Sequence, residues 1–215
     1  YTGSIDNRGI LEIIRRSCSY VDARLMNHGY RVAYIVSEML KPYFHEDARK
    51  IRDVCFLALL HDIGAYKTDE ISKMLQFDTD DVLAHSVYGY LFIKYFSPLK
   101  KLSGAILLHH ATWQVLEHSE VFPEGIRLLA QVIHVADRID VAMEVQHLTW
   151  EETAVLLKKE SGTKFSPFIA DLALACDFHT PFEGDTDAES LFFQLFSEIS
   201  LTQDEITDYL KMLIF

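Results

Sequence analysis

The sequence predicts an all-α fold, a helical bundle with a C-terminal helical extension, and three observations carry that prediction. Apolar residues recur with the 3.6-residue period of a helix, and no segment alternates with the period of two that marks a strand. Only 9 Gly and 5 Pro interrupt 215 residues. No internal repeat or low-complexity segment breaks the pattern. A chain of this length buries about 70% of the surface it exposes when unfolded. With 49% hydrophobic and 24% charged residues, it has the composition of a folded globule that needs no staples.

The elements follow in order. Ile10, Leu11, Ile13 and Ile14 open an amphipathic helix running towards Tyr20. Val32, Ile35, Val36, Met39 and Leu40 form the next stripe, which Pro42 ends because proline cannot continue a helix. Ile51, Val54, Cys55, Ala58 and Leu59 mark a third helix, with Gly64 as its expected terminator. A short helix at Asp69–Leu75 precedes a longer one at Val82–Phe96, closed by Ser97-Pro98. Leu102–His110 and Gly125–Val145 are helical, with irregular chain expected over Ala111–Glu124. In the extension, Thr149 is an N-cap with Glu151 and Glu152 in the first turn of a helix to Lys159. Ser166-Pro167 is a favoured N-cap and N1 pair opening Ser166–Ala175. Asp177–Asp187 reads as a loop, and Ala188–Ile199 and Thr202–Leu213 complete the chain.

Composition excludes several function classes. Twenty basic against 32 acidic residues leave a net charge of −12. Such a chain lacks the positive field that nucleic acid or an anionic membrane surface requires, so neither is expected as a partner. No apolar run reaches the roughly 18 residues of a membrane span. Tyr1–Arg8 is polar and does not resemble a signal peptide. The first residue is Tyr rather than Met, so further residues upstream are expected. Three widely spaced cysteines (Cys18, Cys55, Cys176) without a CxxC argue for reduced thiols. A cytoplasmic location is the expectation.

Ten histidines invite a closer reading. His28, His61-Asp62, His85 and His109-His110 are read as lying where helices begin or end, and Asp137 follows. Successive helical residues point about 100° apart, so a dipeptide grips one ion more easily where the backbone is free to bend. His61-Asp62 lies just before Gly64, and His109-His110 just before the irregular stretch. Asp62 follows the apolar run Phe56–Leu60, and Asp137 is flanked by Val132, Ile133, Val135 and Ala136. A carboxylate buried in such company needs a partner or a metal. Five imidazoles and two carboxylates suffice for a two-metal centre and exceed the four ligands of a structural zinc site. His45, His118, His134, His147 and His179 are read as ordinary hydrogen-bonded or surface residues, with His134 set apart by its i, i+3 spacing from Asp137.

Taken in order, these residues resemble the HD superfamily of metal-dependent phosphohydrolases, and most closely its HD-GYP branch. The landmarks here are His28-Gly-Tyr-Arg-Val-Ala, His61-Asp-Ile-Gly, His85-Ser-Val-Tyr-Gly, His109-His110 and His134-Val-Ala-Asp137-Arg-Ile-Asp140. The resemblance covers roughly residues 10–145. It implies an HD-domain bundle over residues 1–145, with residues 146–215 as an extension packed on the core or forming a homodimer surface. It implies that His28, His61, Asp62 and Asp137 hold one divalent ion and Asp62, His85, His109 and His110 the other, with Asp62 bridging. Imidazole and carboxylate suit Fe, Mn, Ni or Zn. Asp140 matches an aspartate that supports the site or handles a proton.

Departures from the branch are equally visible. Ala65 stands where HD-GYP members carry Lys, with Lys67 two residues on. Ala111 stands where they carry Glu. Val121-Phe122-Pro123-Glu124-Gly125 replaces the Gly-Tyr-Pro loop, and Arg24 occupies the position of a third-metal Glu. The implied activity is hydrolysis of a phosphoester bond in a nucleotide or cyclic dinucleotide. Two cations about 3.5–4 Å apart would bind the phosphoryl oxygens and acidify a bridging water. Asp62, Asp140 and Lys67 are the expected catalytic residues. Lys94 and Arg138 are further phosphate contacts to be weighed against simple solvation, and Trp113, Phe122 and Tyr88 are aromatics that could stack on a base. The alternative is a catalytically degenerate sensor or interaction module that keeps the metal site.

Overall fold

A computed structural model describes residues 23–43, 48–65, 82–178, 190, 192 and 202–212. The helices expected at Ile10–Tyr20 and Asp69–Leu75, nearly all of Ala188–Ile199, and Lys67, His45 and His179 lie outside the described residues. The described chain is all-α: α1 (Ala23–Leu40), α2 (Ala48–Leu59), α3 (Val82–Phe96), α4 (Ser103–Leu108), α5 (Trp113–Leu116), α6 (Glu124–Asp140), α7 (Trp150–Glu160), α8 (Pro167–Leu174) and α9 (Gln203–Met212). A π-helical turn, Val141–Val145, continues α6. Among the described residues no helix is long and apolar enough to cross a membrane.

The apolar stripes pack as their periodicity requires. α1 lies against α2 and α6, α4 against α3 and α6, and α8 bridges α6, α7 and α1. Val32, Ile35 and Val36 of α1 meet Leu57 and Ala58 of α2 and Ile133, Val135 and Ala136 of α6 in a fully buried core. Cys55 sits inside it as a free thiol, and burial pushes its pKa up to about 12. Leu157 of α7, Ile169 of α8 and Tyr209 of α9 join this core. α9 rests against α3. Its buried Tyr209 tilts against Phe56 at 4.9 Å between ring centres, and Phe56 also meets Phe192 edge to face at 5.6 Å. Arg52 Nη2, nearly sequestered from solvent, donates to Glu205 Oε1 at 2.6 Å, tying α2 to α9.

The structure corrects four details of the sequence reading. α2 ends at Leu59, five residues before Gly64, and Gly64 does not adopt a positive φ. It is not a helix cap. His28 lies within α1 rather than at a helix end. The stretch Ala111–Glu124 contains the one-turn helix α5, whose first amides are satisfied from far away: Trp113 N donates to Lys164 O (2.9 Å) and Gln114 N to Thr163 O (3.0 Å). Ser166 occupies the N-cap of α8 with Pro167 at N1, but its hydroxyl makes no cap bond; its backbone N–H donates to Gln131 Oε1 at 2.8 Å. At Thr149 the cap is complete and reciprocal, Glu152 N donating to Thr149 Oγ1 and Thr149 N to Glu152 Oε2.

Candidate metal centre

Five segments meet at the middle of the bundle, and each brings its polar residues inward. Beyond α2 the chain tightens into i→i−3 turns, with His61 N donating to Ala58 O, Ile63 N to Leu60 O and Ala65 N to Asp62 O. That bend lets the adjacent His61 and Asp62 both turn inward, and both are buried. His109 caps α4 and His110 follows it past the helix end. His28 comes from α1, His85 from the first turns of α3, and Asp137 from the buried face of α6.

Gly64 makes the meeting of two of these segments possible. A Cβ there would collide with the carbonyl oxygen of His85 and stand 2.6 Å from the Gly89 nitrogen. Gly89 in turn has only 3.0 Å to Ile106 Cγ2 for a Cβ of its own. The turn carrying His61 and Asp62 therefore lies directly against the backbone of α3 that presents His85. Gly29 does the same on the other side, where a Cβ would strike the carbonyl oxygen of Leu59.

The donor atoms form two groups. In one, ligand atoms of Asp62, His85, His109 and His110 all lie within 4.8 Å of one another; in the other, those of His28, His61 and Asp137 do. Asp62 faces both. Its Oδ1 is 3.4 Å from His85 Nε2 and 3.3 Å from His109 Nε2, while its Oδ2 is 3.1 Å from His61 Nε2 and 3.8 Å from His28 Nε2. His28 Nε2 is 3.3 Å from Asp137 Oδ1. His85 Nε2 and His110 Nε2 stand 2.9 Å apart.

These atoms are near one another yet badly aligned for bonding among themselves. His61 Nε2, Asp62 Oδ1 and His109 Nε2 are buried with no hydrogen-bond partner among the described residues. An orphaned buried acceptor costs about 1–3 kcal/mol, so three at one point call for a common partner. Ligands about 2.1 Å from one ion, at coordination angles near 90–110°, stand roughly 3.0–3.4 Å from each other, which matches the separations around Asp62. The ring orientations agree. His61 Nδ1 donates to Ala58 O at 2.7 Å, His109 Nδ1 to Ile106 O at 2.5 Å, and His28 Nδ1 is paired with Asp140 Oδ2 at 2.7 Å. With Nδ1 engaged, each ring offers Nε2 to the centre, as metal-binding imidazoles do. The residues present fit divalent cations.

Electrostatics reinforce this. Burial alone would raise the Asp62 carboxyl, but the imidazoles of His61 and His109 hold it well below the usual range. Asp137 is likewise opposed by burial and held low, first by Arg138 and then by His28. Burial pushes His85 down to about 4, and pushes His110 down as well with help from His109. Both are therefore neutral imidazoles at neutral pH, the form that binds metal. His28 is the exception. Burial opposes its charge, but Asp137 and Asp140 prevail and raise it to about 10. The carboxylates demand one positive charge at Nε2, which a proton or a cation can satisfy.

Supporting residues complete the centre. Arg31 forks onto Asp140, Nε to Oδ1 at 2.5 Å and Nη2 to Oδ2 at 3.0 Å. Arg138 clasps Asp137 Oδ2 through Nε (3.0 Å) and Nη2 (2.7 Å), leaving Oδ1 towards His28. The structure thus brings together His28, His61, Asp62, His85, His109, His110, Asp137 and Asp140. Lys94 does not join them. It lies nine residues along α3 from His85, about 13 Å of helix axis, and its amino group donates to Tyr90 Oη at 2.6 Å. Among the aromatics, Tyr88 is exposed; a Cβ on Gly104 would stand 3.1 Å from the Phe122 ring, so that ring packs on α4. His134 is buried against Phe165 at 5.3 Å, near His110 but outside both donor groups. His118 is exposed on the surface. Arg24 is exposed, so no acidic ligand stands at that position of α1.

One contributor was missed by reading the sequence alone: Arg31, bound to Asp140, had the signal of i, i+3 spacing from His28. Residues 25–142 match the family model described as HD domain. No curated protein and no solved structure matches the chain.

Proposed function

The chain belongs to the HD domain family, and on that footing we propose that it is a phosphohydrolase whose His/Asp centre binds two divalent cations and cleaves a phosphoester bond of a nucleotide. Members of the family are generally metal-dependent phosphohydrolases. The observation that carries the reading further is Asp62. Its two oxygens face two separate donor groups, so among the described residues it is the carboxylate placed to serve both.

His28, His61, Asp62 and Asp137 would hold one ion and Asp62, His85, His109 and His110 the other. When bound, divalent cations supply Lewis-acid stabilisation of phosphoryl oxygens and acidify water for attack near neutral pH. The chain does the rest by positioning. The backbone carbonyls of Ala58 and Ile106 fix the His61 and His109 rings. Arg138 fixes Asp137. Asp140, fully buried and paired with both His28 and Arg31, would orient the His28 ring. Lys67 remains a proposed substrate contact. The location is proposed to be cytoplasmic and the metal to be Fe, Mn, Ni or Zn.

The test is metal analysis of purified protein together with turnover of generic phosphomonoester and phosphodiester substrates. About two ions per chain and metal-dependent turnover are expected; protein that stays metal-free under metal-replete conditions refutes the reading. A second reading, a degenerate binding module, is favoured by buried Ala65, where the HD-GYP branch carries Lys. Full metal content with no turnover on a broad nucleotide panel would select it.

Arg31 gives a sharper prediction. Arg31→Ala removes two charge-assisted bonds from a buried carboxylate. Asp140 is then held by His28 alone, and the ring that presents Nε2 loosens. Loss of such outer partners costs about 10–100-fold in metal affinity. Competition with a chelator is expected to show that loss at one of two ions; unchanged affinity at both would refute the positioning role.

A further inference from the structure

α3 is apolar on two sides. Its inner side carries His85, Ser86, Gly89 and Ile93, all buried. Successive helical residues turn by about 100°, which sets Ala84, Tyr88, Leu91 and Tyr95 on roughly the opposite side. Their spacing of four, three and four residues is that of a coiled-coil seam. Tyr88 is 49%, Leu91 39% and Tyr95 67% exposed. Of the eleven large hydrophobic residues exposed among the described residues, four stand on this one helix, Phe96 being the fourth. A helix that is apolar all round is one that is covered all round. At about 150–250 Å² for a buried aromatic side chain, the two tyrosines leave roughly 200–300 Å² open. With Leu91 the patch reaches the size that marks an interaction site.

Charge and spacing select what covers the seam. Residues 82–116 contain no Asp or Glu, in a chain that has 32, and they carry Lys94, Lys100 and Lys101. Two copies, each with a net charge of −12, repel one another where carboxylates meet, so an acid-free helix is a surface on which they can approach. The seam is also self-complementary. About a twofold axis at Leu91, an antiparallel second copy sets its Tyr88 level with Lys94 and Tyr95 of the first, and the reverse, as an isologous contact requires. That end of α3 has room for a ring. A cleft of about 290 Å³ is lined there by Lys94, Tyr95, Phe96 and Pro98, with Lys211 of α9 on its far wall. The Lys94 amino group already lies 4.9 Å from the Tyr90 ring centre and 5.6 Å from that of Tyr95, an arrangement that favours a further aromatic face.

We infer that α3 is a homodimer surface: two copies pack antiparallel through Tyr88, Leu91 and Tyr95, and the Tyr88 ring of each enters the cleft beside Tyr95 of the other. The interface is this helix and not the C-terminal extension. His85 lies on the buried side of α3, so each copy keeps its own metal centre.

Sedimentation equilibrium of the full chain at about 50 μM, above the micromolar dissociation constants at the weak end for specific interfaces, provides the test. The wild-type protein is expected to be a dimer. Leu91→Glu sets two carboxylates against each other on the axis and is expected to weaken association by more than about 100-fold, giving monomer. Val155→Glu, at an exposed position of α7, should remain dimeric, and metal content per chain should be the same in all three. Leu91→Cys is the milder second variant. With oxidised glutathione it is expected to link two copies through a disulfide, while Val155→Cys and the wild type, whose Cys55 is buried, do not link. A monomeric wild type, a dimeric Leu91→Glu, or a Leu91→Cys that links no better than Val155→Cys overturns the inference.

Discussion

Asp62→Ala is expected to strip both ions from the protein and to abolish metal-dependent turnover. The expectation follows from the position of its two oxygens. Oδ1 stands 3.3–3.4 Å from His109 and His85 Nε2, and Oδ2 stands 3.1 Å from His61 Nε2. Removing any single imidazole leaves one donor group complete. Removing Asp62 takes a negatively charged ligand from both at once, so the loss should exceed the 10–100-fold of an outer partner such as Arg31 at either ion. His118→Ala is the matched control, since its ring is on the surface. Metal content by elemental analysis decides the matter: equal metal in the two variants would show that Asp62 does not bridge.

Gly64→Ala should lower both the melting temperature and the metal occupancy of the group containing His85. The added Cβ meets backbone atoms, the His85 carbonyl and the Gly89 nitrogen. A backbone cannot rotate aside as a side chain can, so the HD turn and α3 must separate. Overpacking of this kind costs about 1–3 kcal/mol, occasionally more, and each kcal/mol is worth about 2–4 °C in a chain of this size. The separation also pulls His85 from Asp62, which couples stability to metal binding. Gly125→Ala is the contrast. Nothing lies within 4 Å of its Cβ, so the better helix propensity of alanine should leave the protein unchanged or slightly more stable. If thermal melts and metal analysis show the two variants behaving alike, the close packing of these segments is not what Gly64 serves.

The fold class and the residues that gather at the centre were legible because both depend on local signals. Helical periodicity at Val32–Leu40 and around Ile133–Ala136 fixes which face is buried, and the structure buries those faces. The paired His61-Asp62 and His109-His110 lie at helix ends, where bending lets neighbours converge. Boundaries were less legible. Gly64 read as a cap because glycine after an apolar helix usually is one, yet what it answers to is the carbonyl of a residue twenty-one positions on. The helix at Trp113–Leu116 escaped for a similar reason, since its amides are satisfied by the turn at Thr163–Lys164.

Composition and period by themselves predicted an all-helical chain, and the order of its His and Asp landmarks resembled the HD family to which the chain belongs. Only the tertiary structure decided that Asp62 looks both ways and that Arg31 and Arg138 lock the carboxylates. Periodicity records which side of a helix avoids water, a property each segment carries alone. Distances between donor atoms depend on how closely backbones pack, and that is settled by contacts between residues far apart in the chain.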